Sequence, residues 1–272
     1  MTATFPQTQP TPGTELPTLC TQMLKETHIL IAGTTGSGKS TLIHSFIYTA
    51  MHESPADLRF VFIDPKKVEL AKYRRSPHTL DYADTTERAI TLLGKGVALM
   101  ENRYKRMQAA GQTFSDEPAI WFVIDELADL LTADKATKTA VELRLIRLAQ
   151  LGRAANIHLL LATQTPHRSV ITAQIKLNIP CSVALRCREA IESRLILGRK
   201  GAEELPMYGR GYYSSPAFRE IVEVDIPRIP EEDVTALVDR WAALLPVRTT
   251  VPSPAQSFVS WLGGLINRTP RH

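Results

Sequence analysis

Gly33-Thr34-Thr35-Gly36-Ser37-Gly38-Lys39-Ser40 fits the pattern G-x-x-x-x-G-K-[ST] without a mismatch, and its flanks decide the fold. His28-Ile29-Leu30-Ile31-Ala32 before it is an apolar run that predicts a buried strand entering the loop, and residues 41–51 after it predict a helix leaving it. In a strand–loop–helix unit, backbone N–H groups and a helix N-terminus wrap a chain of phosphates. Glycine lets the backbone approach those phosphates without a side-chain clash. Gly33, Thr34, Thr35, Gly36, Ser37, Gly38, Lys39, Ser40 and Thr41 are therefore the expected cradle for ATP. Lys39 is expected to reach the β- and γ-phosphates, and the Ser40 hydroxyl to hold Mg²⁺.

Further along, Trp121-Phe122-Val123-Ile124-Asp125-Glu126 is an apolar stretch ending in two acids. A strand here would deliver Asp125 to its C-terminal end, beside the glycine loop, to hold Mg²⁺ through water. Glu126 would then orient and deprotonate the attacking water. Phosphoryl transfer needs positioning and charge neutralisation more than covalent chemistry, so these few groups suffice. The next apolar run ends Leu161-Ala162-Thr163-Gln164, and Gln164 is placed to bond the γ-phosphate or the water. Such a contact could pass loss of the phosphate to the following loop.

Outward from these motifs, apolar strands are expected at residues 28–32, 58–64, 120–125, 157–164 and 181–187, with helices at 41–51, 85–110 and 139–154. Continuous Val/Ile/Leu/Phe strands separated by helices point to an α/β fold, a mainly parallel central sheet with helices on both faces. Residues 211–214 and 219–225 read as a small antiparallel C-terminal extension, and 231–244 as an amphipathic helix. Residues 1–22, carrying Pro6, Pro10, Pro12 and Pro17 among Thr and Gln, read as a flexible lead. The domain is expected over 23–245, and 246–272 as a tail whose apolar patch at 258–266 packs on the core or docks a partner.

Of the 272 residues, 44% are hydrophobic and 22% charged, as in ordinary globular proteins. No run approaches the ~18 apolar residues that cross a bilayer, and no basic-then-apolar leader opens the chain. A cytoplasmic protein without direct membrane insertion is expected. Cys20, Cys181 and Cys187 have no metal-ligand spacing and read as packing residues. The net charge of +4 is compatible with a polyanionic partner without demanding one.

Three blocks resemble the motor domain of the FtsK/SpoIIIE DNA translocases, among the additional-strand P-loop ATPases. They are His28 to Ser40, then Phe62-Ile63-Asp64-Pro65-Lys66 with Glu69-Leu70, Tyr73 and Pro77-His78, and most specifically Ile124 to Leu130 continuing through Gly152-Arg153-Ala154-Ala155-Asn156-Ile157-His158. The third extends through Ala162-Thr163-Gln164, Asn178-Ile179-Pro180, Ser193-Arg194 and Gly201-Ala202-Glu203. The resemblance implies a RecA-like P-loop NTPase core assembled as a ring, expected to be a hexamer, around double-stranded DNA. It also implies an arginine from one subunit at the γ-phosphate of the next, with Arg153 the first choice by motif position and Arg194 the second. DNA contacts are expected from His167 and Arg168, from Lys176, and from Arg199 and Lys200.

The sequence departs from the family at Thr165-Pro166-His167-Arg168, at the basic Arg199-Lys200 and at Gly209-Arg210-Gly211-Tyr212-Tyr213, all outside the ATP motifs. A chain of this length is expected to be a stripped motor domain without a winged helix, as in plasmids, phages or integrative elements. It would serve DNA transfer, maintenance or partition with a relaxase, recombinase or membrane partner. Two competing readings are a motor for protein secretion and a nucleotide-gated adaptor that does not translocate.

Overall fold

Strands buried on both faces need mostly apolar side chains, and the chain supplies them, apart from His28, Arg59, His158, Thr163 and Ser182, in β1 (His28–Ala32), β2 (Leu58–Ile63), β4 (Ala119–Ile124), β5 (Ile157–Thr163) and β6 (Cys181–Ala184). In the computed structural model, which describes residues 18–53, 56–132 and 134–244, these join β3 (Thr79–Ala83), β7 (Arg210–Ser214) and β8 (Val222–Asp225) in one sheet. Its order is β3-β2-β4-β5-β1-β6-β7-β8. The first six strands of that order run parallel, while β7 and β8 add on antiparallel. The expected mainly parallel sheet with a small antiparallel extension is thus the observed one.

Helices α1 (Thr18–Met23), α2 (Lys39–Glu53), α3 (Thr86–Ala110), α4 (Leu127–Leu131), α5 (Lys135–Leu151), α6 (Ala173–Asn178), α7 (Ala190–Leu197) and α8 (Glu231–Leu244) accompany the sheet among the described residues, with a 3₁₀ turn at Ala71–Arg75. Alternation along each strand divides the core in two. Leu30, Val61, Ile63, Phe122, Ile124, Leu159 and Leu161 pack with α3, α4 and α5. Ile29, Ile31, Phe60, Phe62, Trp121, Val123 and Leu160 pack with α1, α2 and α8.

Register places the chemistry. Ala32 pairs with Thr163 and Ile124 with Leu161, so β5 lies between the loop strand and the acid strand. The residues that follow, Gly33, Asp125 and Gln164, therefore emerge at one edge, as the sequence predicts. The strands expected at 58–64, 120–125, 157–164 and 181–187 run one to three residues past the observed ends of β2, β4, β5 and β6.

Several features differ from expectation or escaped it, helices α4 and α7 among them. Strand β3 is polar in sequence (TLDYA) and sits at the sheet edge, where Asp81 pairs with Arg88 at 2.5 Å. Helix α1 begins inside the predicted lead of residues 1–22, because Leu19, Cys20 and Met23 are buried among the α2 and β1 side chains. Helix α5 spans Lys135–Leu151 rather than 139–154. Its cap, Asp134, accepts from the N–H groups of Ala136 and Thr137, and the chain turns at Gly152. The tail at 246–272, with its patch at 258–266, lies outside the described residues.

Gly96 tests the packing of α3 on the sheet. A Cβ there would stand 2.5 Å from Cζ of the buried Phe122 ring. Gly96→Val is expected to lower unfolding free energy by at least about 2 kcal/mol through overpacking, read as a shifted midpoint in urea at unchanged slope.

Candidate nucleotide-binding and hydrolysis site

The glycine loop is tied to its neighbours before any ligand arrives. The Gly33 N–H donates to Thr163 O and the Thr34 N–H to Arg186 O, at 3.3 and 2.8 Å. A Cβ on Gly33 would lie 2.6 Å from Leu185 Cβ, so the loop's entry admits only glycine. Gly36 and Gly38 have φ of 79° and 97°, the left-handed region that glycine occupies without strain. Together they turn the backbone into the concave nest expected for phosphates.

Lys39 opens α2 and is buried. Its Nζ donates to Asp125 Oδ1 at 2.6 Å and to the Asp125 carbonyl at 2.7 Å. Asp125 is 3% exposed; burial pushes its carboxyl above the ordinary range, and the Lys39 ammonium works against that push. The two groups pair in a dry place, an arrangement that a nucleotide's phosphates would change. Ser40 Oγ donates to Glu69 Oε1 at 2.9 Å. The His44 hydrogen bond, with that of Ser40 behind it, holds the Glu69 carboxyl down at about 2 against burial. Ser40, Asp125 and the glycine nest form a hydroxyl, carboxylate and N–H set that suits Mg²⁺ bound with phosphates, since Mg²⁺ takes one or two protein oxygens and keeps its waters.

Glu126 is 2% exposed and caps α4, accepting from the Ala128 N–H at 3.3 Å. Thr163 Oγ1 donates to its Oε1 at 2.7 Å, and the Gln164 N–H to its Oε2 at 3.0 Å. Gln164 Oε1 in turn accepts from Thr35 Oγ1 at 2.8 Å. One continuous chain of contacts thus joins Glu126, the end of β5 and the tip of the glycine loop. On the other flank, Arg188 Nε donates to Thr34 Oγ1 at 3.2 Å.

The structure therefore brings together Lys39, Ser40, Asp125, Glu126, Gln164 and the loop. Arg153 is elsewhere. It is exposed in the turn before β5, at the opposite edge of the sheet. Its motif neighbours are all used internally. A Cβ on Gly152 would meet Ile157 O at 2.4 Å, Ala155 is buried, and Asn156 bonds Glu117 O and His158. Arg153 forms no side-chain bond among the described residues. Arg194 is exposed on α7, and Arg168 is exposed in the loop after β5.

Lys176 departs from the expected solvent-facing cation. It is partly buried, Nζ donates to Ser182 Oγ at 2.6 Å, and burial lowers its pKa. Arg199 lies over the Tyr212 ring at 5.1 Å, and Lys200 is exposed beside it. Glu69, Thr163 and Arg188 are the site residues to which sequence reasoning gave no role. Only Glu69 and Thr163 lay in quoted motifs, and no spacing signalled their contacts.

The fold and this site define the class: a RecA-like P-loop ATPase. A family model described as "FtsK/SpoIIIE family" matches residues 10–117 and 107–168, together more than half of the chain. The chain belongs to the FtsK/SpoIIIE family. It is similar to the DNA translocase FtsK of Campylobacter jejuni subsp. jejuni, 38% identical over 235 residues, covering 80% of this chain and 24% of that one. It is likewise similar to that of Lactiplantibacillus plantarum, 39% identical over 236 residues, covering 79% and 29%. The chain thus spans about a quarter of the length of these curated relatives.

Among solved structures, the pCW3 conjugation coupling protein TcpA, in a monomer form with ATPγS, superposes with a TM-score of 0.70 at 26% identity, covering 79% of this chain and 65% of that one. The cytoplasmic domain of the type VII secretion ATPase EccC of Thermomonospora curvata gives 0.67 at 25% identity, covering 85% and 29%. No described helix is long and apolar enough to cross a membrane.

Proposed function

We propose that this chain hydrolyses ATP and uses the cycle to move double-stranded DNA as a ring, with the expected size a hexamer. The observation that carries the reading is the contact chain Lys39–Asp125, Glu126–Thr163 and Gln164–Thr35 at one sheet edge, on a chain whose relatives are named DNA translocases.

In this reading the loop N–H groups bind the β- and γ-phosphates, and Lys39 transfers its ammonium contact from Asp125 to their oxygens. Ser40 and Asp125 would hold Mg²⁺, which supplies charge neutralisation on the phosphates. Glu126, freed in part from Thr163, accepts a proton from the attacking water at a carboxylate oxygen. The water oxygen bonds to the γ-phosphorus as the bond to the β–γ bridging oxygen breaks, leaving ADP and phosphate. Gln164, released from Thr35, orients that water and relays loss of the phosphate to the loop carrying Arg168. Arg153 of a neighbouring subunit neutralises charge on the γ-phosphoryl group. Arg168, Arg199 and Lys200 contact DNA phosphates without reading sequence, while Lys176 would first have to leave Ser182.

Steady-state hydrolysis without DNA, with single strands and with long duplex tests this. Duplex is expected to raise the rate about tenfold or more, an effect weakened by salt. A rate indifferent to both DNAs would remove the autonomous DNA motor. It would favour the protein-moving reading to which the likeness to EccC points.

A further inference from the structure

The acid in contact with the metal-binding hydroxyl is Glu69, outside the two acids of the strand-end motif. Ser40 Oγ donates to Glu69 Oε1 at 2.9 Å, while Glu69 Oε2 lies 3.1 Å from His44 Nε2. His44 Nδ1 is in turn 2.9 Å from the hydroxyl of the buried Tyr73. Side chains from α2 and the 3₁₀ turn therefore aim this carboxylate at Ser40.

Its backbone is fixed as well. Asp64, fully buried at the end of β2, accepts at Oδ2 from the Leu70 N–H and the Tyr82 hydroxyl, at 2.9 and 3.2 Å. Asp64 Oδ1 is buried with no hydrogen-bond partner. Asp64 and Glu69 both act electrostatically on Asp125, and the Lys39 ammonium acts on Asp125 and Glu69. Once that ammonium serves phosphates, Asp125 loses its ion-pair partner, and a buried unpaired charge is costly. No described group of three acids, histidines or cysteines forms a ready-made metal cage, so a cation entering here must keep most of its own water, as Mg²⁺ does.

We propose that Glu69 is a positioning residue for Mg²⁺. Its carboxylate gives up the Ser40 hydroxyl as the ion arrives and accepts hydrogen bonds from a water the ion retains, with Asp125 holding another. The inference rests on reading the site as one for Mg²⁺ and ATP.

The test is the affinity of a fluorescent ATP analogue across a Mg²⁺ titration, with EDTA as the zero point. Glu69→Gln keeps an oxygen and an N–H for Ser40 and His44 but removes the charge. It should raise the Mg²⁺ concentration for half-maximal enhancement about tenfold, the value of one charge-assisted hydrogen bond. Affinity in EDTA should stay within about twofold. A Mg²⁺ curve overlaying that of the unmodified chain would reduce Glu69 to a strut between α2 and the 3₁₀ turn and overturn the proposal. If Glu69→Gln does not fold, Glu69→Asp, which keeps the charge but loses reach, is read by the same criterion. Should the unmodified chain itself show no Mg²⁺ enhancement, the ATP-site reading fails and this inference with it.

Discussion

Glu126→Gln is expected to lower ATP turnover by about a thousandfold, the usual loss when a positioned general base is removed. Nucleotide affinity should stay within about threefold, because no phosphate ligand changes. The surroundings of Glu126 make the substitution informative. A glutamine can still accept from Thr163 Oγ1, but its NH₂ would then face the Gln164 N–H, which now donates to Oε2. One donor-against-donor contact costs about 1–3 kcal/mol, enough to shift a melting curve but not to unfold a sheet with two packed faces. Single-turnover hydrolysis and analogue binding, run on the same preparation, separate the chemical loss from any loss of fold. Turnover within tenfold of the unmodified chain would remove Glu126 as the base and leave it as the cap of α4.

How far the sequence reaches is visible in these same residues. Lys39 was legible from the glycine-loop pattern, and Asp125 and Gln164 because each directly follows an apolar strand, and parallel pairing brings such ends to one edge. In the sheet β5 lies between β1 and β4, which sets Gln164 between the glycine loop and Asp125. Glu69 was not legible as a site residue. It belongs to the irregular stretch after β2, where no periodicity fixes direction, and its place beside Ser40 goes with the long-range contacts of Asp64 with the Leu70 N–H and of His44 with the carboxylate. Strand β3 and helix α1 were hidden for a related reason. An edge strand tolerates Thr and Asp, and six residues with three buried side chains carry too short a pattern to stand out from a Pro/Thr-rich stretch. Lys176 reads as a surface charge in any sequence; its tie to Ser182 depends on how a short helix lies on β6.

Arg153→Ala is expected to cost about a thousandfold in turnover, the lower end of what an arginine at the γ-phosphoryl group contributes, with stability nearly unchanged. The argument is geometric. Arg153 sits before the seven residues of β5, whose far end carries Gln164, so roughly 20 Å of strand separates it from its own glycine loop. Within one subunit it cannot touch a bound nucleotide. It can act only across a head-to-tail contact, in which the lower edge of one copy meets the upper edge of the next. That makes subunit mixing the decisive measurement. Arg153→Ala leaves the cradle intact, and Lys39→Ala leaves the arginine intact, so each preparation alone should be inactive. Mixed at equal amounts, about one contact in four sets an intact cradle against an intact arginine, and activity should reappear in that proportion. Arg194→Ala in place of Arg153→Ala provides the comparison, since α7 follows β6 on the glycine-loop side of the sheet. Recovery with Arg194→Ala and little effect of Arg153→Ala would transfer the role to α7. Two inactive variants that stay inactive on mixing would show that neither side chain completes a neighbour's site, and the ring reading would lose its catalytic argument.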